Sequence, residues 1–255
     1  LHFDAQWNDD VHHCFHVLAT GEKSGYYSDY AESPLDLLGR CLAEGFAYQG
    51  EISRHRGGVN RGERSGHLPP GAFVSFLQNH DQVGNRALGE RLSLLAPEPV
   101  QEALSAVLLL SPQIPLLFMG QEWGCRQPFH FFCDFDGDLA AAVCEGRRKE
   151  FSAFPRFGDP ETLNRIPDPN NSETHASSVL DWTGSERPEQ AGRLEFHRRL
   201  LKVRRERIMP LIPDIAPGKA RRRVSEKNCL VVCWPLSDGR GLCMAANLAD
   251  GKKRG

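Results

Sequence analysis

The fold is decided by the stretch Phe73-Val-Ser-Phe-Leu-Gln-Asn-His-Asp-Gln-Val-Gly-Asn-Arg86. Its first five residues, 73–77, are mostly aromatic, β-branched or aliphatic, which predicts a short buried strand. The chain then changes abruptly to polar side chains over residues 78–82. Because functional groups of parallel α/β barrels lie at the carboxyl ends of their strands, this stretch predicts a strand that delivers polar groups to a site.

The polar part of this stretch carries a family resemblance. The segment Phe76-Leu-Gln-Asn-His-Asp81 resembles the fourth conserved region of the α-amylase superfamily of glycoside hydrolases. The longer string Gln78-Asn-His-Asp-Gln-Val-Gly-Asn-Arg-Ala-Leu-Gly-Glu-Arg91 resembles one branch of it, the malto-oligosyltrehalose trehalohydrolases. The resemblance implies that Asp81 stabilises the transition state and that His80 contacts the sugar being cleaved. The predicted substrate contacts of this segment also include Gln78, Asn79 and Arg86.

The same Asn-His-Asp tripeptide has a simpler interpretation. Asparagine and aspartate are favoured at the N-caps of helices, where a side-chain oxygen accepts a hydrogen bond from a backbone N–H. A turn that merely caps a helix would therefore use these residue types as well. The length of the matching string favours the functional interpretation.

A second polar strand end lies near the N terminus. Residues 1–7 predict a strand, and Asp4-Ala-Gln-Trp-Asn-Asp-Asp-Val-His-His13 resembles the trehalohydrolase branch at what would be its sixth barrel strand. We predict that Trp7 stacks on a pyranose ring. The predicted hydrogen-bonding contacts to sugar here are Asp9, Asp10 and His13.

The histidines of this region raise the question of a metal site. His12 and His16 are four residues apart and share one face of a helix. Histidines at this spacing beside a carboxylate can bind zinc, but the glutamate of a His-Glu-x-x-His motif is absent, and Cys14 follows His13 instead. A sugar-binding or structural role is therefore favoured, and we predict no metal and no organic cofactor.

A strand–helix–strand pattern continues the chain after Arg86. A helix is predicted from about 100 to 110, and the apolar run Ile114-Pro-Leu-Leu-Phe-Met119 predicts the next buried strand. This order is typical of βαβ units. The strand ends near Gln121 and Glu122 in a region that resembles the last strand of the superfamily. These two residues are predicted either to contact substrate or to structure the loop.

The fold class predicted from these elements is α/β. Residues 1–210 are expected to form the second half of a (β/α)8 TIM barrel, strands 6–8 with their helices. Residues 211–255 are expected to begin a small antiparallel β domain, with an abrupt stop at 252–255. Further helices are predicted from 33, over 138–151 and over 194–209, and long loops over 51–71 and 152–181.

Composition limits the possible functions. The formal net charge of −2 argues against electrostatic nucleic-acid binding. The most apolar segment, 103–119, is interrupted by serine, glutamine and proline, so it does not predict a membrane span of about 20 apolar residues. Eight cysteines are scattered along the chain, which we interpret as reduced, buried thiols of a cytoplasmic protein.

The catalytic set implied by the resemblance is incomplete. Retaining glycosidases need a nucleophilic carboxylate and a protonated carboxylic acid. In the resembled family these lie on the fourth and fifth strands, and no segment here resembles either motif. We therefore expect the rest of the barrel to precede Leu1 and this chain alone to be inactive.

The predicted function of the parent protein is hydrolysis of the α-1,4 bond next to the terminal trehalose of malto-oligosyltrehalose, with release of trehalose. The expected partners are that substrate and related α-glucans. The alternatives are a branching enzyme or another α-amylase relative, or a module that binds glucans without cutting them. A metalloprotein based on the histidines is a weaker alternative.

Overall fold

The computed structural model describes residues 3–152, 155–157, 159–225 and 228–248. The chain divides into two compact units. The first comprises Leu1–Leu77, Ala96–Leu117 and Glu195–Gly255, and the second comprises Gln78–Leu95 and Phe118–Leu194. The domain boundary expected at residue 210 remains a prediction. Of the strand predicted at 1–7, residues 1–2 lie outside the described residues, and residues 3–5 are not in a strand, so this prediction is too long. The stop expected at 252–255 also lies outside the described residues.

A three-stranded parallel sheet lies in the first unit, in the order β1 (Gln6–Trp7), β4 (Phe73–Phe76), β5 (Ile114–Leu116). In the register of the sheet, Trp7 pairs with Val74 and Phe76 pairs with Leu116. The strand predicted at 73–77 and the following strand–helix–strand unit are confirmed. β5 is shorter than predicted. It contains a proline without an N–H, which a sheet accommodates at its edge.

Three long helices accompany this sheet: α1 (Asp9–Thr20), α2 (Pro34–Glu44) and α5 (Glu98–Leu110). α1 begins because Asn8 caps it, accepting a hydrogen bond from the backbone N of Val11 at 3.3 Å. It ends at Gly21, whose φ of 72° lies in the left-handed region that glycine readily adopts. α1 packs against α2 and β4, and this places its histidines inside the unit.

An antiparallel sheet completes the first unit, in the order β6 (Arg221–Val224), β7 (Cys229–Pro235), β8 (Gly241–Asn247). The short antiparallel strands predicted here are confirmed. The sheet packs on α2, where Trp234 Nε1 donates to the Leu42 carbonyl at 3.0 Å. The approach is close at Gly39, because a Cβ built there would lie 2.8 Å from Leu230 Cδ1.

The prediction that all cysteines are reduced is wrong for one pair. Cys233 and Cys243 are directly opposite each other on β7 and β8 and form a disulfide, with Cα atoms 4.1 Å apart. Strand pairing places the two residues directly opposite each other, which spacing along the sequence does not reveal. The other six cysteines are free thiols, of which three are buried as predicted and three, Cys133, Cys144 and Cys229, are only partly buried.

Two segments predicted as loops contain short elements. Residues 51–71 include the antiparallel hairpin of β2 (Glu51–Ser53) and β3 (Val59–Arg61). Residues 152–181 include α7 (Pro160–Asn164) and α8 (Ser172–Ser178), each with an N-cap side chain that accepts a backbone hydrogen bond. Such short elements depend on caps and ladder pairing, so they leave no apolar periodicity in the sequence.

The other helices of the second unit are α3 (His80–Gly84), α4 (Leu92–Leu95) and α6 (Gly137–Ser152). The chain returns to the first unit within α9 (Pro188–Val203), which is followed by a π-helical turn at Arg204–Ile208. The helix expected at 194–209 therefore begins earlier and changes its hydrogen-bond pattern near its end. None of the helices in the described ranges has the length and apolar character needed to cross a membrane.

Candidate functional site

The end of β4 is held from inside the first unit by a histidine of α1. His12 Nδ1 lies 2.7 Å from the carbonyl oxygen of Leu77, one residue beyond the strand. Its Nε2 lies 3.2 Å from the hydroxyl of Tyr27, and its ring stacks on Phe76 with centroids 5.8 Å apart. Because a carbonyl only accepts, the imidazole carries its proton on Nδ1 in this contact. His12 therefore has a structural role at the strand end.

The polar turn that follows belongs to the second unit and begins with two buried amides. Asn79 Oδ1 accepts a hydrogen bond from the backbone N of Gln82 at 2.8 Å and caps α3. Gln78 Oε1 accepts from the backbone N of Leu92 at 3.0 Å. The helix-capping interpretation of this motif is thus correct for Asn79. The substrate contacts predicted for the two amides remain predictions.

The next two side chains, His80 and Asp81, are exposed. Their side chains are 55% and 61% exposed, and His80 Nε2 lies 3.4 Å from Asp81 Oδ1. The buried amides before them fix the backbone of the turn. This combination of a fixed backbone and exposed side chains is what a substrate-binding turn requires.

Arg86 lies farther along the same segment and is mostly buried. Its Nε lies 3.4 Å from Glu90 Oε2, and the other oxygen of Glu90 accepts from Arg156 at 2.8 Å. The guanidinium is thus part of an ion-pair network on the second unit. Its predicted contact with substrate remains a prediction.

The loop after β5 carries Gln121 and Glu122 on a 3₁₀ turn, Gln121–Trp123, between two glycines of positive φ. Gln121 is only 7% exposed. Within the described part of the chain, neither atom of its amide has a hydrogen-bond partner, and the same holds for Glu122 Oε2. Buried polar atoms without partners are costly, so this loop holds hydrogen-bonding capacity that the described residues do not use.

Two of the predicted contacts near β1 are exposed. The Trp7 side chain is 41% exposed, and its ring meets Phe76 edge to face with centroids 5.8 Å apart. Asp9 is exposed in the first turn of α1. The packed edge holds the indole in place, and part of its surface stays accessible for stacking. The roles predicted for both residues remain open to test.

Asp10 is buried, contrary to the expectation that it accepts hydrogen bonds from sugar. One carboxylate oxygen accepts from the Tyr30 hydroxyl and from Arg61 Nη2, the latter at 2.6 Å. The other accepts from the backbone N atoms of Ala47 at 2.8 Å and Tyr48 at 3.2 Å. Both oxygens are therefore engaged within the first unit, and the carboxylate stabilises its interior.

His13 is also enclosed, and its predicted contact with sugar is not supported. Its ring stacks on Tyr30 at 4.9 Å and meets Tyr26 at 4.8 Å. Its Nδ1 has no hydrogen-bond partner among the described residues. Burial, followed by repulsion from the Arg61 guanidinium, lowers the pKa of His13 to about 3, so the ring is neutral.

Sequence reasoning missed Arg61, which organises this interior. Its guanidinium lies 4.9 Å from the centre of the Tyr48 ring and pairs with Asp10. The nearby carboxylate and phenol outweigh burial and raise the pKa of Arg61. No local signal marks this residue, because its partner lies 51 residues earlier in the chain.

The histidines of α1, which raised the hypothesis of a metal site, have other contacts in the structure. His16 Nε2 lies 2.7 Å from Glu22 Oε2, and its ring stacks on Tyr27 at 4.2 Å. Across the residues that the structure describes, no group of three or more His, Cys, Asp or Glu side chains is arranged to hold a metal ion. The imidazoles of α1 instead contact tyrosines, a carboxylate and a backbone carbonyl.

No protein-family model matches the chain. It is 42% identical over 206 residues to a malto-oligosyltrehalose trehalohydrolase of Deinococcus radiodurans, a match that covers 80% of this chain and 34% of the relative. A Brevibacterium helvolum protein of the same name is 41% identical over 253 residues, covering 98% of this chain and 40% of the relative.

Among solved structures, a Salmonella typhimurium protein described as a candidate alpha amylase matches with a TM-score of 0.88 and 48% identity. The match covers 96% of this chain and 40% of that protein. These likenesses define the class that the chain resembles: its sequence and fold are similar to part of an alpha-amylase-type protein. Within it, the resemblance to the malto-oligosyltrehalose trehalohydrolases is confirmed along most of the chain. The chain spans only 34% to 40% of the length of these two relatives.

Proposed function

We propose that the protein carrying this chain is a retaining glycoside hydrolase that acts on malto-oligosyltrehalose. It would cleave the α-1,4 bond next to the terminal trehalose and release trehalose with a shorter maltodextrin. The observation that carries this proposal is the 42% identity over 206 residues to a relative of that name. The exposed His80 and Asp81 at the turn after β4 support the proposal, because both side chains are accessible to a substrate.

The proposed role of Asp81 is electrostatic. Glycoside hydrolysis passes through a transition state with oxocarbenium-ion character, flanked by a nucleophilic carboxylate and an acid. We propose that other segments of the protein supply that pair and that Asp81 is a third carboxylate. A negative charge held beside the developing positive charge stabilises the transition state more than the ground state. His80 would donate a hydrogen bond to the same sugar.

Further substrate contacts are proposed for residues whose roles are untested. Trp7 would stack on a sugar ring, and Asp9 would accept hydroxyl hydrogen bonds. Arg86, Gln121 and Glu122 would also bind substrate. We propose α-glucans as the only ligands, with neither metal nor organic cofactor, and a cytoplasmic location.

Glucan binding without hydrolysis is the second candidate, and the exposed indole of Trp7 favours it. Product analysis separates the candidates. Trehalose released from malto-oligosyltrehalose supports the proposal. New α-1,6 branches would indicate a branching enzyme. Binding without any product would indicate a glucan-binding protein.

The proposed role of Asp81 is tested by Asp81→Asn in the protein that carries this sequence. We expect kcat to fall by about a hundredfold to a thousandfold, with a much smaller change in KM, because the lost charge acts mainly in the transition state. Trehalose release is the measurement. The control is Asp138→Asn, at another exposed aspartate of the second unit, which should leave turnover unchanged. Equal losses in turnover and binding would argue that Asp81 only shapes the turn.

A further inference from the structure

Arg91 is a fully buried arginine of the second unit, with no exposed surface. Its Nε donates to the carbonyl oxygen of Gln127 at 2.6 Å, and its Nη1 donates to that of Met119 at 2.7 Å. The guanidinium also lies over the Phe118 ring, 4.8 Å from its centre. One planar group therefore makes two directed hydrogen bonds and one stacking contact.

The two carbonyls that Arg91 binds stand at the two ends of one loop, residues 120–126. That loop carries Gln121 and Glu122. It turns at Gly120 and Gly124, with φ of 87° and 72°. A Cβ at Gly120 would lie 2.7 Å from the Cβ of Cys125, so the loop closes tightly on itself. Arg91 thus fixes both ends of a compact loop whose central polar atoms remain without partners among the described residues.

The residues around Arg91 also bind the polar turn before α3. The backbone N of Leu92 donates to Gln78 Oε1 at 3.0 Å. On the other side, Ser93 Oγ donates to the Cys125 carbonyl at 2.5 Å, and the Gly89 carbonyl accepts from Phe129 N at 3.0 Å. The segment 89–93 is therefore bonded both to the residue that begins the turn of Asp81 and to the loop 120–126.

We propose that Arg91 is a positioning residue that holds the Asp81 turn and the loop 120–126 in one fixed arrangement for glucan binding. This inference rests on the proposed function, because it needs both segments to contact substrate. Arg91 does not touch substrate itself, since it is fully buried. It acts through the two carbonyls and through its neighbour Leu92.

Arginine is required here for its shape as well as for its charge. A guanidinium presents several N–H groups in a rigid fork and stacks on an aromatic ring, whereas a lysine ammonium is a compact charge on a flexible stem. Arg91→Lys therefore keeps the charge but loses the fixed geometry between the two carbonyls. Small errors in the position of substrate-binding groups are costly to catalysis.

The first unit offers a matched control in Arg204. Its Nη1 donates to the carbonyls of Leu109 at 3.0 Å and Ser111 at 2.5 Å, and its Nη2 donates to that of Gln113 at 2.7 Å. This buried arginine also binds a turn through backbone carbonyls. No predicted substrate contact lies in that turn, so Arg204→Lys reports the cost of replacing such an arginine for stability alone.

The experiment compares Arg91→Lys with Arg204→Lys in the protein that carries this sequence, assayed for trehalose release well below their unfolding temperatures. Both variants should lower Tm. Only Arg91→Lys should lower kcat/KM, by about tenfold to a hundredfold, and it alone should speed amide hydrogen exchange in both 78–82 and 120–126. Arg204→Lys should stay within about twofold of the wild type in kcat/KM, since it touches no proposed substrate contact.

The two proposals fail in different ways. If the wild-type protein releases trehalose and Arg91→Lys matches Arg204→Lys in kcat/KM, the positioning role is overturned and the proposed function stands. Faster exchange in the loop 120–126 alone would also overturn it, because the Asp81 turn would then be held independently. A wild-type protein that releases no trehalose overturns the proposed function, and the role assigned to Arg91 falls with it.

Discussion

The buried neutral imidazole of His13 predicts a pH-dependent stability. Its ring is enclosed by tyrosines, and burial with the neighbouring Arg61 charge lowers its pKa from 6.5 to about 3. In the unfolded chain the same imidazole takes up a proton at its ordinary pKa. Between these two values the unfolded state binds one more proton than the folded state, so acidification favours unfolding.

The size of the effect follows from the two pKa values. The stabilisation from His13 is fully present above the unfolded pKa of 6.5 and is lost progressively as the pH falls toward about 3. Between pH 7 and pH 5 the loss from this one group amounts to about 2 kcal/mol of unfolding free energy. Other groups also titrate in this range, so the contribution of His13 must be isolated by substitution.

The variant His13→Phe keeps an aromatic ring against Tyr30 and removes the titration. Urea unfolding at pH 7 and at pH 5 measures how much stability each protein loses between the two. The wild type should lose about 2 kcal/mol more than His13→Phe. His67→Phe, which replaces an exposed imidazole, serves as the control and should behave like the wild type. If the wild type and His13→Phe lose stability equally, the reasoning about the enclosed ring is refuted.

Two further predictions concern the first unit. Asp10→Asn should cost about 3 kcal/mol of unfolding free energy in urea, because it removes a buried carboxylate and leaves the partly buried Arg61 without its counter-charge. The exposed neighbour variant Asp9→Asn should cost far less, and similar losses would contradict the buried role of Asp10. Alkylation of the denatured, unreduced protein should modify six of the eight cysteines, because Cys233 and Cys243 are bonded to each other. After reduction all eight should react, and mass spectrometry counts the adducts. Eight adducts without reduction would show that the bond is absent.

The fold was predictable where local pattern decides it. The apolar run ending at Leu77, the Ser33-Pro34 helix start and the alternating strands after residue 220 each carry their signal within a few residues. Their bounds in the structure agree with the sequence to within a few positions. The polar run after β4 predicted accessible side chains correctly for His80 and Asp81, but Gln78 and Asn79 of the same run are buried.

The interior polar network was not predictable from the sequence. Asp9 and Asp10 are identical residue types at adjacent positions, yet one is exposed and the other is buried. The difference comes from Arg61 and Tyr30, which reach Asp10 from distant parts of the chain. Helical rotation turns Asp10 inward, and only the tertiary fold supplies the counter-charge that makes its burial tolerable.

The contact between the C-terminal sheet and α2 limits how this protein can be shortened. The Trp234 indole hydrogen-bonds a carbonyl on α2, and Gly39 gives Leu230 room that even a methyl group would occupy. Deleting the strands would expose one side of α2, with its leucines, to solvent. A variant that lacks β6, β7 and β8 would therefore also need polar substitutions on the newly exposed side of α2.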